Sequence, residues 1–212
     1  MTLLTHHCCK VSLLICFFLV SIPSITFSNE NISFTPNLIV DLNKSSYKSF
    51  KNGKESIILR SENGNINLEN QDLHFYDNVE GQFTYNGKIF NLRTQNLISN
   101  LKEKSILSKE RTFFKGNNIE IASSSLEISK IPAEGIKIIF READLDQIND
   151  GLRIDKGKAN KIEFFIEKDL MLMQGNAEFY EGNMRIISDE ILYSLEEDRV
   201  LKSVNAKIIN TR

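Results

Sequence analysis

Residues 158–205 read KANKIEFFIEKDLMLMQGNAEFYEGNMRIISDEILYSLEEDRVLKSVN, and the spacing of their apolar residues decides the fold. Ile162, Phe164 and Ile166 recur at every second position, as do Leu170 and Leu172, Ala177 and Phe179, and Met184 and Ile186. A period of two over a short run belongs to a strand with one apolar and one wet face. Gly175-Asn176 and Glu181-Gly182-Asn183 fall between the runs. Gly and Asn tolerate positive φ, so both are expected reversals. The stretch predicts a meander of antiparallel strands, each about five to seven residues long.

The same pattern runs backwards to Ser56. Ile57 and Leu59 share a face, and Glu62-Asn63-Gly64-Asn65 offers a turn. Further turns are expected at Asn70-Gln71-Asp72, Asp77 to Gly81, Asn86-Gly87, Lys102-Glu103-Lys104 and Lys115 to Asn118. Asn86-Gly87 is the strongest hairpin signal among them. Pro132 to Gly135 makes a break, and Arg141 to Lys158 is the longest candidate for non-strand chain. A helix over Ala143 to Ile148 would be too short to hold itself. The facing of strands across residues 100–132 stays open. The fold class is all-β.

Ahead of this domain, assigned to residues 56–212, residues 29–55 form a polar arm rich in Asn, Ser and Lys. Leu38-Ile39-Val40 could add one edge strand there. Residues 1–28 have the pattern of a secretory signal. Lys10 precedes the apolar run Val11 to Val20, and Thr26-Phe27-Ser28 supplies small residues for cleavage. That run is shorter than the roughly 20 residues of a spanning helix, although an uncleaved anchor has a similar pattern. The expected location is the periplasm, with inner-membrane attachment as the alternative. Cys8, Cys9 and Cys16 all lie in this leader, so the exported chain would carry no disulfide and depend on burial and strand pairing.

Composition excludes several functions. The chain has 26 basic and 28 acidic residues, interleaved, for a formal net charge of −2. Without a basic stripe, nucleic acid is not an expected partner. His74, the sole histidine past the leader, has no serine or cysteine beside it in sequence and reads as a solvent-facing strand residue. Glu142, Asp144, Asp146 and Asp150 lack the central Gly and closing Glu of a calcium loop and read as a solvated loop. No catalytic residue, metal site or cofactor is expected.

The chain also repeats. Leu97-Ile98-Ser99-Asn100-Leu101 with Ile106 matches Ile191-Leu192-Tyr193-Ser194-Leu195 with Val200, and Gly81 to Gly175 has the same spacing. Strand-turn units that cannot bury an apolar face alone stack on copies of themselves, which favours an open, elongated stack.

Two stretches carry a family resemblance: Ile57 to Val79, and Ala159 through Gly175-Asn176-Ala177 to Ser188-Asp189 and Tyr193. They resemble the OstA-like periplasmic lipopolysaccharide-transport family, which includes LptA and LptC. LptA is the more similar overall, whereas residues 104–132 are similar to LptC. The resemblance implies an elongated, open β-jellyroll with a hydrophobic groove for the acyl chains of lipid A. Its partners would be lipopolysaccharide and other transport-bridge proteins, including copies of itself, joined by end-to-end strand pairing. By matching position, Ile57, Leu59, Phe140, Phe164 and Ile166 are expected to face the groove. The alternation adds Ile162, Leu170 and Leu172. A membrane-anchored LptC-like component and a ligand-free structural β-solenoid stand as the other readings.

Overall fold

The computed structural model describes residues 39–51, 54–116, 118–131, 135–149 and 152–210. The leader and the start of the polar arm lie outside them.

Among these residues the secondary structure is strand throughout, apart from one 3-10 turn at Ile166–Lys168. β1 (Ile39–Lys51), β2 (Lys54–Asn67), β3 (Asp72–Tyr85) and β4 (Lys88–Asn100) form one antiparallel meander. β9 (Gly135–Asn149), β10 (Leu152–Phe165), β11 (Leu170–Glu181) and β12 (Met184–Ser194) form a second. β13 (Arg199–Val204) and β14 (Lys207–Asn210) share the outer edge of β12.

Two short links join the meanders. β5 (Ser105–Ser108) and β8 (Ser125–Ile131) connect the end of β4 to the start of β9. β6 (Thr112–Gly116) and β7 (Ile119–Ser123) connect the start of β4 to the later part of β9. The result is one continuous sheet folded so that its two meanders face each other. This is the all-β, antiparallel jellyroll architecture expected of the sequence. β3–β4 and β11–β12 occupy equivalent places in the two meanders, which accounts for the repeat: Leu97 on β4 and Ile191 on β12 are both fully buried.

The strands are about twice the expected length, because several expected turns are bulges. Gly175 and Asn176 have φ of 72° and 50°, yet β11 runs through them with its register shifted between Gln174 and Ala177. Asp77 and Asn78 do the same in β3, and Glu62-Asn63 lies at the matching shift in β2. The β2 and β3 bulges are tied side by side, Asn63 donating to Asp77 at 2.9 Å and Asn78 to Glu62 at 2.6 Å. A bulge bends and twists a strand without ending its pairing, so bulges in neighbouring strands bend the sheet coherently. True reversals occur, as expected, at residues 68–71, at Asn86-Gly87, at residues 101–104 and at Gly182-Asn183.

Arg141 to Lys158 is another correction. It is strand through most of its length, the end of β9 and the start of β10. Ala143, Leu145 and Gln147 point inward, and so do Asp155, Gly157 and Ala159. The acidic residues Asp144 and Asp146 alternate with them on the outer face of β9, not in a solvated loop. Residues 39–51 of the polar arm form β1, a full edge strand.

The interior is organised in rows that cross the strands. Phe90 on β4 stacks on Phe114 of β6 at 5.5 Å, and Phe114 meets Phe140 of β9 edge-on at 5.2 Å. Phe90 also meets Phe164 of β10 edge-on at 6.0 Å. All four rings are buried. Gly116 makes room for this cluster, since a Cβ there would lie 2.6 Å from Phe90 Cδ1 and 2.7 Å from the Ile89 carbonyl oxygen. Any side chain at Gly116 must displace backbone as well as a ring.

Candidate functional site: an apolar cup at one end of the folded sheet

Register places the site. Ser49, Ile57, Phe83 and Phe90 are successive antiparallel partners across β1 to β4, so they project from one face as a row. Ile106, Ile128, Ile138 and Phe164 form the corresponding row across β5, β8, β9 and β10. Between the two rows lies a cavity of about 610 Å³. That falls within the roughly 300–1,000 Å³ typical of small-molecule sites. Its walls are apolar, with Tyr47, Ile57, Phe83, Ile106, Ile128, Ile136 and Ile166 among them. Serine hydroxyls from Ser49, Ser56, Ser99, Ser105 and Ser129 interrupt this surface.

The inner end is closed by the Phe90–Phe164 contact, so the cavity is a cup and not a trough running the length of the sheet. One side is stapled by the β3–β4 hairpin. The Tyr85 hydroxyl donates to Glu167, and Lys88 Nζ contacts both Asp169 carboxylate oxygens at 2.6 Å. The hydrogen bond to the Glu167 carboxylate, helped by burial, raises the Tyr85 hydroxyl above its ordinary range and keeps it a donor.

The expected groove residues divide into three groups. Ile57 and Ile166 border the cup. Leu59, Phe140, Ile162 and Phe164 have no exposed surface and belong to the packed interior. Leu170 and Leu172 are on the opposite face of β11. Their partners are Phe165 and Glu163, whereas Met171 and Met173 pair with Phe164 and Ile162 and share the buried face. The run Leu-Met-Leu-Met is apolar at every position, so its polarity cannot reveal which pair faces inward. Glu163 is half-buried beside Lys161 at 2.9 Å and Lys137 at 3.8 Å. Phe83, Ile106, Ile128 and Ile136 were missed as site residues, because their facing depends on pairing partners distant in sequence. The one available signal was the polar neighbours on both sides of Phe83 and of Ile128.

Other features direct attention to the cup. A broader concavity of about 1390 Å³ on the outer face carries both charge signs in neighbouring pairs, such as Lys115 with Glu120 at 2.5 Å and Arg93 with Glu80 at 3.5 Å. His74 is half-buried and bonded to Asn96 at 2.8 Å. Among the described residues no three His, Cys, Asp or Glu side chains gather as metal ligands would.

The family model described as lipopolysaccharide-assembly, LptC-related, matches residues 24–130. The chain belongs to the LptC-related lipopolysaccharide-assembly family. The match ends at Lys130 on β8, so it includes one row of the cup and the first half of the other. Among solved structures the chain is similar to LptH of Pseudomonas aeruginosa, described as the LptA homologous periplasmic component of the conserved lipopolysaccharide transport device. The TM-score is 0.50 at 9% identity, covering 58% of this chain and 95% of that one. At that identity the likeness is one of fold. No curated protein matches the chain. Family and fold are those of lipopolysaccharide-transport proteins, as the two resembling stretches implied.

Proposed function

We propose that this LptC-related protein is a periplasmic component of lipopolysaccharide transport that shelters acyl chain in the cup between β1–β4 and β5/β8–β10. The observation that carries the reading is an apolar cavity of about 610 Å³ bordered by the same face of both meanders. Removing acyl chain from water gains about 0.8 kcal/mol per CH₂ and fixes no register, which suits a chain that must enter and leave. The reading requires no bond-making residue. The two sheet edges supply the remaining part of the proposal, contact with other transport proteins. β1 exposes Ile39, Val40 and Leu42, and the opposite edge exposes Leu201 and Ile208. Unpaired edges of this kind add strands from another chain.

A photo-crosslinking residue in place of Ile57 is expected to capture lipopolysaccharide in cells. One in place of Ile89, an exposed apolar residue on the outer face of β4, is expected not to. Equal capture at both would mean general adhesion and would reject the cup.

The LptC-related match supports the membrane-anchored reading over the freely periplasmic bridge protein. Cell fractionation distinguishes them. Full-length chain in the membrane fraction is the expected result, and a shortened chain beginning near Asn29 in the periplasmic extract would reverse the assignment.

A further inference from the structure

At its inner end the cup meets an aromatic ring. Of the four packed rings, Phe90, Phe114, Phe140 and Phe164, Phe90 alone borders the cavity. It has no exposed surface, so the open space narrows to nothing against it. Beyond the ring the interior stays apolar, with Phe114 stacked on Phe90 at 5.5 Å and Phe140 edge-on to Phe114 at 5.2 Å. Apolar groups therefore lie on both sides of Phe90, and the bulk of its ring separates empty space from filled. The ring is also held in place. Its neighbours across the sheet are Phe83 on β3 and Gly116 on β6, and Phe164 meets it edge-on at 6.0 Å. A Cβ at Gly116 would be 2.6 Å from Phe90 Cδ1, so the ring already fills the room that this glycine leaves.

We infer that Phe90 sets the length of acyl chain the cup accepts. The inference rests on the acyl-binding reading of this cavity and adds a specificity-determining residue to it. Each CH₂ taken out of water strengthens binding by about fourfold, equivalent to about 0.8 kcal/mol. The gain stops where the terminal methyl meets the Phe90 ring. Further carbons stay in water at the mouth or must force the ring off its packing, and interiors this dense yield little. A trough open at both ends would behave differently, because a longer chain would go on burying carbon along the sheet. Shortening the side chain at position 90 moves the limit, since the space it vacates joins the cup and is walled by Phe114 and Phe164.

The test titrates straight-chain alkanoates, octanoate to octadecanoate in two-carbon steps at monomeric concentrations, into the protein and reads binding by calorimetry. Native protein is expected to bind each longer member about 15-fold more tightly up to one chain length, and no better beyond it. Phe90→Leu keeps an apolar group against Phe114 and is expected to move that limit at least one step toward longer chains. Phe90→Ala is expected to move it further, and if that variant does not fold, the leucine variant decides. Ile128→Ala empties part of the side wall instead. It is expected to weaken binding at every length without moving the limit. Affinity that still rises at octadecanoate in native protein overturns the length limit and leaves the acyl reading standing. A limit that stays put in folded Phe90→Leu, or moves equally in Ile128→Ala, overturns the assignment to Phe90. Failure of every alkanoate to bind native protein overturns the acyl reading and the length limit with it.

Discussion

Phe164→Ala is expected to lower the stability of the fold by about 3–5 kcal/mol, the range for emptying a buried phenyl site. The residue has no exposed surface, and its ring is edge-on to Phe90 at 6.0 Å. It lies in a row between Ile138 on β9 and Met171 on β11, both buried. Removing the ring leaves a hole bounded by two facing meanders whose strands are fixed by their own pairing, so little can collapse into it. Urea unfolding measures the loss as a lower midpoint at unchanged slope. A lipid-facing Phe164 would behave differently. The variant would then keep nearly native stability and lose ligand, because a residue lining open space leaves no new void when truncated. A midpoint within error of the native protein would place Phe164 at the surface of the cup and reopen a groove running the length of the sheet.

The same residue shows how much of this protein can be read from its sequence. Alternation assigned Phe164 correctly to the apolar face, and likewise Ile162, Phe140 and Leu59. What alternation does not supply is distance from the opening. That is set by which row a residue joins, and Phe164 joins the row of Ile106, Ile128 and Ile138 through partners up to 58 positions away in sequence. Gly175-Asn176 marks a second limit. A hairpin turn and a bulge both use Asn and Gly at positive φ, and only continued pairing with β12 beyond Ala177 makes this one a bulge. The polar run from Arg141 fails for a third reason. Small or polar inward residues, Ala143, Gln147, Asp155 and Gly157, replace the large apolar ones that would have signalled a strand. Asn86-Gly87 was legible because its requirement is local: φ of 48° and 79° at two successive residues, joining strands that follow immediately on either side.

One of those inward residues, Gln147, takes part in the second expected large effect. Tyr193 on β12 has no exposed surface and packs against Phe179 at 4.8 Å. Its hydroxyl donates to the Asp198 carboxylate and contacts Gln147 Oε1 at 2.7 Å, while Gln147 Nε2 donates to Asp198. The three side chains tie the β12–β13 turn to the outer end of β9. Tyr193→Phe keeps the ring but removes the hydroxyl from Gln147, which is itself buried, and from a charged acceptor. The expected cost is about 2–3 kcal/mol, as for a hydrogen bond to an ionised partner with a buried group left unmatched. Burial, and then the hydrogen bond to Asp198, push the tyrosine hydroxyl far above its ordinary pKa of 10.0. The folded state therefore keeps this proton at pH values where the unfolded chain releases it. The stabilisation is complete below pH 10 and declines above it, at up to about 1.4 kcal/mol per pH unit while only the unfolded tyrosine ionises. Unfolding curves at pH 8 and pH 11 check both parts of the claim. The Phe variant should be less stable at pH 8 and should lose less on going to pH 11. Parallel losses in the two proteins would show that the hydroxyl is not held in its protonated form by the fold.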